Sequence, residues 1–119
     1  MSRNAFIVCG GRHFSDYAAL AYALDVFVQA RPHLNCLVHG AASGADTLAE
    51  MWAIARSTPY WPFPADWNRY GRAAGPMRNT AMLAEAKPTW AVAFPGGRGT
   101  QNTIDQARRQ GVSVLAPVL

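Results

Sequence analysis

The chain has 119 residues, half of them hydrophobic, with 11 basic against 7 acidic side chains and a formal net charge of +4. The length fits a single domain, 1–119, with one core, and the hydrophobic content excludes a disordered chain. The chain shows no apolar run of membrane-spanning length and no secretion signal, so a cytoplasmic protein is expected. Cys9 and Cys36 share no metal-ligand spacing, so both are predicted to be reduced and buried, and no metal site is predicted.

Arginine accounts for ten of the eleven basic residues, and Lys87 is the only lysine. A guanidinium group binds phosphate in a bidentate manner and stacks on flat rings, whereas a lysine ammonium acts as a point charge. This excess of arginine over lysine favours a phosphate-bearing partner, although the base composition of the genome would produce the same excess equally well.

Five short apolar runs alternate with segments of helical periodicity. The predicted strands cover 5–9, 36–39, 60–64, 90–94 and 112–116, and the predicted helices cover 16–30, 45–56, 76–86 and 101–110. Ser15 and Thr100 are the expected N-caps of the first and last helices. The segment 65–75 is polar and aromatic, and we expect a loop that covers a site. The inward face of the third helix is open between two sets: Met77, Ala81 and Ala84, or Met82 and Leu83.

This alternation predicts an α/β fold, namely a Rossmann-like three-layer α/β/α domain with a five-stranded parallel sheet. Proline cannot donate to a sheet ladder, so the proline-bearing strand 60–64 belongs at an edge. The most apolar strands, 5–9 and 90–94, belong in the centre. The order 3-2-1-4-5 satisfies both conditions and reverses its winding between strands one and four, where ligands bind in such sheets.

Glycine-rich loops follow strands one, two and four. The loops Gly10-Gly11-Arg12 and Gly96-Gly97-Arg98 should face each other across the switch point, with residues 40–46 beside them. Glycines permit close ligand approach, the first N–H groups of a helix attract anions, and arginine adds charge. One such loop alone is no more informative than a plain connection, but their convergence predicts a phosphate or nucleotide site.

Individual side chains leave alternatives open. Asp46 and Asp66 are the candidate catalytic acids or sugar contacts, although helix or turn capping would also account for them. Trp67 and Tyr70 can stack on a base or pack in a core or an oligomer interface. His39 is expected to be a hydrogen-bonded structural residue, with acid–base chemistry as the second interpretation. The predicted ligand-binding residues are Gly10, Gly11, Arg12, Gly40, Gly44, Asp46, Arg78, Asn79, Pro95, Gly96, Gly97, Arg98, Gly99 and Thr100.

These motifs resemble the YspA/cpYpsA-related branch of the SLOG superfamily, and the resemblance runs almost end to end. It implies a Rossmann-like fold and a nucleotide-related ligand, in a sensor or nucleotide-processing module of bacteria or phages. The segments that carry the resemblance are 8–12 with Phe14 and Asp16, 38–40 with 44–46, 64–67, 70–76 with Arg78 and Asn79, and 93–100.

The resemblance also implies two relatives with different functions. Lonely-guy phosphoribohydrolases carry a similar Pro-Gly-Gly-x-Gly-Thr loop, followed by glutamates that serve N-glycosidic bond cleavage. Asn102 and Thr103 stand at the corresponding positions and cannot supply a carboxylate base, so that activity does not carry over directly. The DNA-processing protein A branch binds single-stranded DNA on the same fold. The chain departs from its own branch at 40–43, where another glycine and an arginine are expected.

Three functions are therefore compared. The first is a small nucleotide-binding protein for an AMP- or ADP-ribose-like nucleotide or nucleotide-sugar, with no required cofactor. The second is an enzyme that cleaves an N-glycosidic or phosphate–sugar bond in such a ligand. The third is a single-stranded DNA-binding module, ranked last because acidic residues are spread through the chain. A homo-oligomer is expected in each case, because Trp52, Trp61 and Trp67 amount to much aromatic surface for one small domain.

Overall fold

The computed structural model describes residues 3–119 and shows five parallel strands in one sheet, ordered β3-β2-β1-β4-β5. The predicted Rossmann-like fold and strand order are confirmed. The strands are β1 (Ala5–Cys9), β2 (Cys36–His39), β3 (Tyr60–Pro62), β4 (Trp90–Ala93) and β5 (Ser113–Leu115). The helices are α1 (Tyr17–Gln29), α2 (Ala45–Ala55), α3 (Trp67–Tyr70), α4 (Ala74–Ala86) and α5 (Arg98–Arg109), with a 3₁₀ turn at Gly71–Ala73.

The centre of the sheet is its most apolar strand. All five residues of β1 are buried, and Ile7 lies opposite Val38 of β2 and Ala91 of β4. A strand covered on both faces must be apolar at every position, which is why β1 shows no alternation. The proline-bearing β3 pairs with β2 alone and forms an edge, as predicted.

Helices cover the two faces of the sheet in pairs. On one face, α1 and α2 bury Leu24, Phe27 and Trp52 against Phe6 of β1. On the other face, α4 and α5 pack through a second buried cluster whose members include Met82, Leu83 and Ala107. Each fully buried large side chain contributes about 1.5–3 kcal/mol, so the two clusters hold the helices in place. This arrangement leaves the carboxyl ends of the strands open between the layers.

Two predicted helix caps are wrong. Asp16, not Ser15, caps α1, and its Oδ1 accepts a hydrogen bond from the Ala19 N–H at 3.0 Å. The last helix begins at Arg98 with Gly97 as N-cap, three residues before the predicted start. Thr100 is therefore the third helical residue, buried at 8% exposure. The prediction relied on the preference of N-cap positions for Ser and Thr. In α5, the glycine turn before Arg98 starts the helix earlier than that preference indicated.

The segment 65–75 is more regular than predicted. It contains α3, the 3₁₀ turn and the first residues of α4, which begins at Ala74 rather than Pro76. A proline is tolerated in the first turn of a helix because no N–H is needed there. Of the two possible inward faces of α4, the structure uses Met82 and Leu83.

One argument for self-association does not hold. Trp52 is 1% exposed, and its Nε1 donates to Asp25 Oδ1 at 2.9 Å, so it belongs to the core and not to a surface. Arg56 extends this contact by a pair of hydrogen bonds to the same carboxylate. Arg56 and Trp52 together lower the pKa of Asp25 by hydrogen bonding to it.

The loop after β2 contains a backbone conformation that favours glycine. Ala41 has a φ of 57°, and its N–H donates to His39 Nδ1 at 2.9 Å. A left-handed φ costs an L-residue roughly 1 kcal/mol. We expect Ala41→Gly to raise the free energy of unfolding by about 0.5–1 kcal/mol in urea titrations. Ala42→Gly is the control, since Ala42 has no positive φ, and it should lower that free energy; a loss of stability in Ala41→Gly would contradict the prediction.

Candidate ligand-binding crevice

A crevice of about 630 Å³ opens at the carboxyl ends of β1, β2 and β4, where the winding of the sheet reverses. This is the position at which open parallel α/β sheets bind ligands. Its lining includes Gly10 and Gly11 after β1, Gly40 after β2, and Gly97 and Gly99 after β4. Its volume falls within the ordinary range for small-molecule sites.

The glycine loops after β1 and β4 lie side by side, as the strand order predicted. The Gly11 N–H donates to the Pro95 carbonyl at 2.8 Å. A Cβ on Gly96 would lie 2.1 Å from Thr100 Oγ1 and 2.7 Å from the Gly11 nitrogen, so no side chain fits between the two loops. Close backbone approach therefore explains Gly96, and Thr100 packs beneath the turn instead of capping the helix.

The third loop joins the first through Gly44. Its φ of 77° and ψ of −126° lie outside the regions that L-residues adopt readily. A Cβ there would lie 2.2 Å from the Gly11 carbonyl oxygen, which accepts the Ala45 N–H at 3.1 Å. Gly44 thus brings the start of α2 against the first loop.

The N-terminus of α5 faces the same space without a side-chain cap. Gly97 is its N-cap and forms no side-chain cap bond, so the first N–H groups of this 12-residue helix lack intrahelical partners. Apart from the adjoining residues and the backbone of α5 itself, no atom of residues 3–119 lies within 4 Å of the positions that a Cβ would take on Gly97 or Gly99. Packing therefore does not require glycine at either position, and both leave backbone N–H groups accessible, which suits an anion.

Four arginines and one carboxylate line the crevice: Arg12, Arg72, Arg78, Arg98 and Asp46. Three of the four arginines were predicted, and Arg72 was not. It lies in the 3₁₀ turn of the segment that was predicted to be an irregular cover. Guanidinium groups gathered at a helix N-terminus produce a positive field, which suits an anionic ligand.

Arg78 and Asn79 begin a hydrogen-bonded chain between α4 and α5. Arg78 donates from Nη1 to the Gly40 carbonyl and from Nε to Asn79 Oδ1, the latter at 2.8 Å. Asn79, 2% exposed, donates to Asn102 Oδ1 at 3.0 Å. Burial, together with repulsion from Arg12, lowers the pKa of Arg78. The chain holds this guanidinium against the end of β2.

Asp46 is the only acidic residue on the lining among residues 3–119. Its Oδ2 accepts the Gly40 and Ala42 N–H groups at 3.1 and 3.2 Å. Burial raises its pKa, although these two hydrogen bonds act in the opposite direction. Cys9 lies next to it in the lining, where burial and the Asp46 charge raise the pKa of the thiol to about 12. Cys9 is therefore a protonated thiol and not a nucleophile at neutral pH.

Trp67 forms part of one wall of the crevice. It is 45% exposed, its ring edge packs on Gly75, and the Arg12 guanidinium lies 5.0 Å from its ring centre. Tyr70, one turn further along α3, lies beneath the Arg69 guanidinium in a similar cation–π contact and does not line the crevice.

Some predicted site residues lie elsewhere. Asp66 is exposed and outside the lining, and its Oδ1 accepts the Arg69 N–H as the N-cap of α3, so the capping interpretation holds for it. His39 pairs through Nε2 with Glu50 at 3.0 Å, in the structural role expected of it. Gly44, Pro95 and Gly96 shape the loops without lining the crevice. Lining residues absent from the predicted set are Val8, Cys9, His13, Ala42, Trp67, Arg72, Gly75, Pro76, Met82, Asn102 and Thr103.

Neither a metal centre nor a membrane span emerges from the described part of the chain. Residues 3–119 contain no group of three or more His, Cys, Asp or Glu side chains placed to hold a metal ion. Within the same residues, every helix is too short or too polar to cross a bilayer.

A Rossmann-like sheet with a basic, glycine-lined crevice at its switch point defines the class of this protein. Within that class, the chain belongs to the YspA, cpYpsA-related SLOG family, whose model matches residues 6–70. It is 33% identical over 116 residues to the Gene 61 protein of Mycobacterium phage D29, covering 92% of each chain. Its fold is similar to that of DNA processing protein A from Streptococcus pneumoniae, with a TM-score of 0.74 and 18% identity. That alignment covers 98% of this chain and 51% of the other, so the chain spans about half the length of that protein.

Proposed function

We propose that the protein binds a small nucleotide or nucleotide-sugar, with the phosphate against the N-terminus of α5. One observation carries the proposal: four arginines and an uncapped 12-residue helix face one crevice in which Asp46 is the only lining carboxylate among the described residues. Charge-assisted bonds to phosphate are among the strongest that a site offers. Arg98 lies on the first turn of α5 and Arg12 on the loop packed against it, so both are assigned to the phosphate.

The flat part of the ligand is assigned to the wall that Trp67 forms. Trp67 offers a partly exposed ring in the lining. Nucleotide sites combine such apolar walls with a few placed polar groups. Family membership supports this assignment, because the family resemblance implies a nucleotide-related ligand.

An enzyme acting on the same ligand is the second candidate. Asp46 favours it, since a carboxyl whose pKa is raised by burial inside a crevice has the properties of a general acid. No second carboxylate lines the crevice within residues 3–119, whereas glycoside cleavage generally uses two. Release of free base or sugar from a nucleotide, lost in Asp46→Asn, would establish this activity.

Single-stranded nucleic acid is the remaining alternative. Two exposed cation–π contacts, Arg12 on Trp67 and Arg69 on Tyr70, lie along α3 beside the crevice. Such a platform would bind oligonucleotides with a steep dependence on salt. The similar fold of DNA processing protein A does not by itself extend to DNA binding here.

The direct test is thermal unfolding in the presence of a panel of nucleotides, nucleotide-sugars and short oligonucleotides. A nucleotide present at 100 times its dissociation constant should stabilise the fold by about 2.7 kcal/mol and raise the melting temperature. A failure of every member of the panel to raise it at concentrations well above 1 mM would overturn the proposal.

A substitution at Gly99 distinguishes an effect on ligand binding from an effect on stability. We expect Gly99→Ala to raise the free energy of unfolding by up to about 1 kcal/mol, because alanine favours helix and its methyl group meets no protein atom. The same methyl should crowd a bound phosphate and weaken nucleotide binding about tenfold by isothermal titration calorimetry. Gln101→Ala, also on α5 but outside the lining, is the control and should leave the affinity unchanged. Unchanged affinity in Gly99→Ala would place the phosphate elsewhere.

A further inference from the structure

Only one of the two carboxylate oxygens of Asp46 accepts hydrogen bonds within the fold. Oδ2 accepts the Gly40 and Ala42 N–H groups, whereas Oδ1 has no hydrogen-bond partner among the described residues. No fully buried side-chain oxygen in residues 3–119 lacks a partner, so Oδ1 must reach solvent although Asp46 is only 6% exposed. Since Asp46 lines the crevice, Oδ1 opens into it.

Asp46 interacts electrostatically with Arg78 and His39, but the hydrogen bonds that it accepts within the fold do not require a charge. An asparagine oxygen would accept the same two N–H groups, so the loop after β2 needs an acceptor and not an anion. In a crevice built for phosphate, a carboxylate repels the ligand, and burial raises its pKa because the ionised form is poorly solvated there. A carboxylate oxygen that accepts a hydrogen bond from the ligand would offset both costs.

The positions of Asp46 and of the α5 N-terminus indicate which group of the ligand donates this hydrogen bond. Neighbouring strands lie about 4.8 Å apart, so the ends of β2 and β4, on either side of β1, are roughly 10 Å apart. Asp46 is bound to the end of β2, and the α5 N-terminus follows β4. That span between the strand ends suits a 5′-phosphate and the hydroxyls of its own sugar, and the base edge lies further away.

We propose that Asp46 accepts a hydrogen bond from a sugar hydroxyl, so that the crevice selects ribonucleotides over deoxyribonucleotides. This inference rests on the proposed nucleotide binding and names the ligand class. A bound metal ion is the other possible partner of Oδ1, and the four arginines oppose it. A catalytic role is not required, because Asp46 acts here as a specificity residue.

The first test needs only the unaltered protein. The four ribonucleoside 5′-monophosphates and their 2′-deoxy and 3′-deoxy forms are compared by isothermal titration calorimetry, with and without EDTA. At least one deoxy form should bind about ten- to a hundredfold more weakly than its ribonucleotide, because a hydrogen bond to a charged acceptor is lost. Equal affinities for all three sugars, or a requirement for Mg²⁺, would overturn the inference while leaving nucleotide binding in place. Binding of none of them would overturn both.

Asp46→Asn gives a second, independent readout. This variant keeps an oxygen for Gly40 and Ala42, so the ribose preference should fall below about threefold while inorganic phosphate binds more tightly, because a repelling charge is gone. Asp105→Asn on the exposed side of α5 makes the same charge change outside the crevice and should keep the preference. If Asp46→Asn weakened phosphate and every nucleotide alike, Asp46 would be a loop-shaping residue and the inference would fail.

Discussion

Gly44→Ala is expected to lower the free energy of unfolding by about 3 kcal/mol or more. Two costs add: an alanine at this φ of 77° and ψ of −126° costs about 1–3 kcal/mol, and its Cβ would lie 2.2 Å from the Gly11 carbonyl oxygen. That oxygen belongs to backbone, so relief requires the first and second loops to separate. With roughly 4 °C per kcal/mol for a chain of this size, the melting temperature should fall by about 12 °C.

Gly111→Ala is the matched control for this change. Gly111 has the same φ of 77°, but no protein atom lies within 4 Å of its Cβ position. Gly111→Ala should therefore show only the conformational cost, which lowers the free energy of unfolding by about 1 kcal/mol and the melting temperature by ~4 °C. Equal losses in the two variants would show that the contact between the loops contributes nothing. Gly44→Ala should in addition weaken nucleotide binding, since it displaces the Gly11 loop, whereas Gly111→Ala should not.

Removing Arg12 and Arg98, the two arginines that the proposed function assigns to the phosphate, is expected to weaken nucleotide binding by at least about 100-fold. The double variant Arg12→Ala/Arg98→Ala loses two charge-assisted contacts of about 1.5–3 kcal/mol each. Arg98 and Arg12 are exposed, and the Arg12 guanidinium stacks on the partly exposed Trp67 ring, so stability should change by less than about 1 kcal/mol. Calorimetric titration with the tightest nucleotide of the panel measures the affinity, and urea unfolding measures the stability.

Arg108→Ala/Arg109→Ala is the control for net charge. Both residues lie in the last turn of α5, outside the crevice, and their removal changes the charge of the protein by the same amount. Long-range attraction would make the two double variants equally weak, particularly at low salt. Direct contact instead predicts a loss confined to Arg12 and Arg98 that persists at about 0.15 M salt. An unchanged affinity in Arg12→Ala/Arg98→Ala would remove both residues from the site.

The elements that sequence patterns predicted well are those governed by local periodicity. The buried strand β1 appeared as five consecutive apolar residues, and β3 was assigned to an edge by its prolines. Together with the rule for crossovers, these two features were sufficient to order the sheet and to bring two glycine loops together. The bounds of the elements were predicted less accurately. The start of α5, for example, depends on a glycine turn and not on the cap preference of Thr100.

Side chains with two plausible environments were not resolved by pattern. Trp52 was counted as surface, and the structure buries it against β1 because the inward face of α2 depends on where α1 packs. Arg72 was missed because nothing in an irregular polar segment marks which arginine turns toward a crevice. Asp66 and Asp46 looked equivalent in sequence, yet one caps an exposed helix and the other is buried at the site.

The amino-acid sequence alone determined the family, the fold class, the strand order and the glycine-rich composition of the loops after β1 and β4, because these follow from residue type and spacing along the chain. Only the tertiary structure decided which glycines touch backbone and which face open space, which arginines converge, and that both hydrogen bonds of Asp46 within the fold go to one carboxylate oxygen. These depend on distances between segments far apart in the chain, and such distances are set by how the helices pack on the sheet.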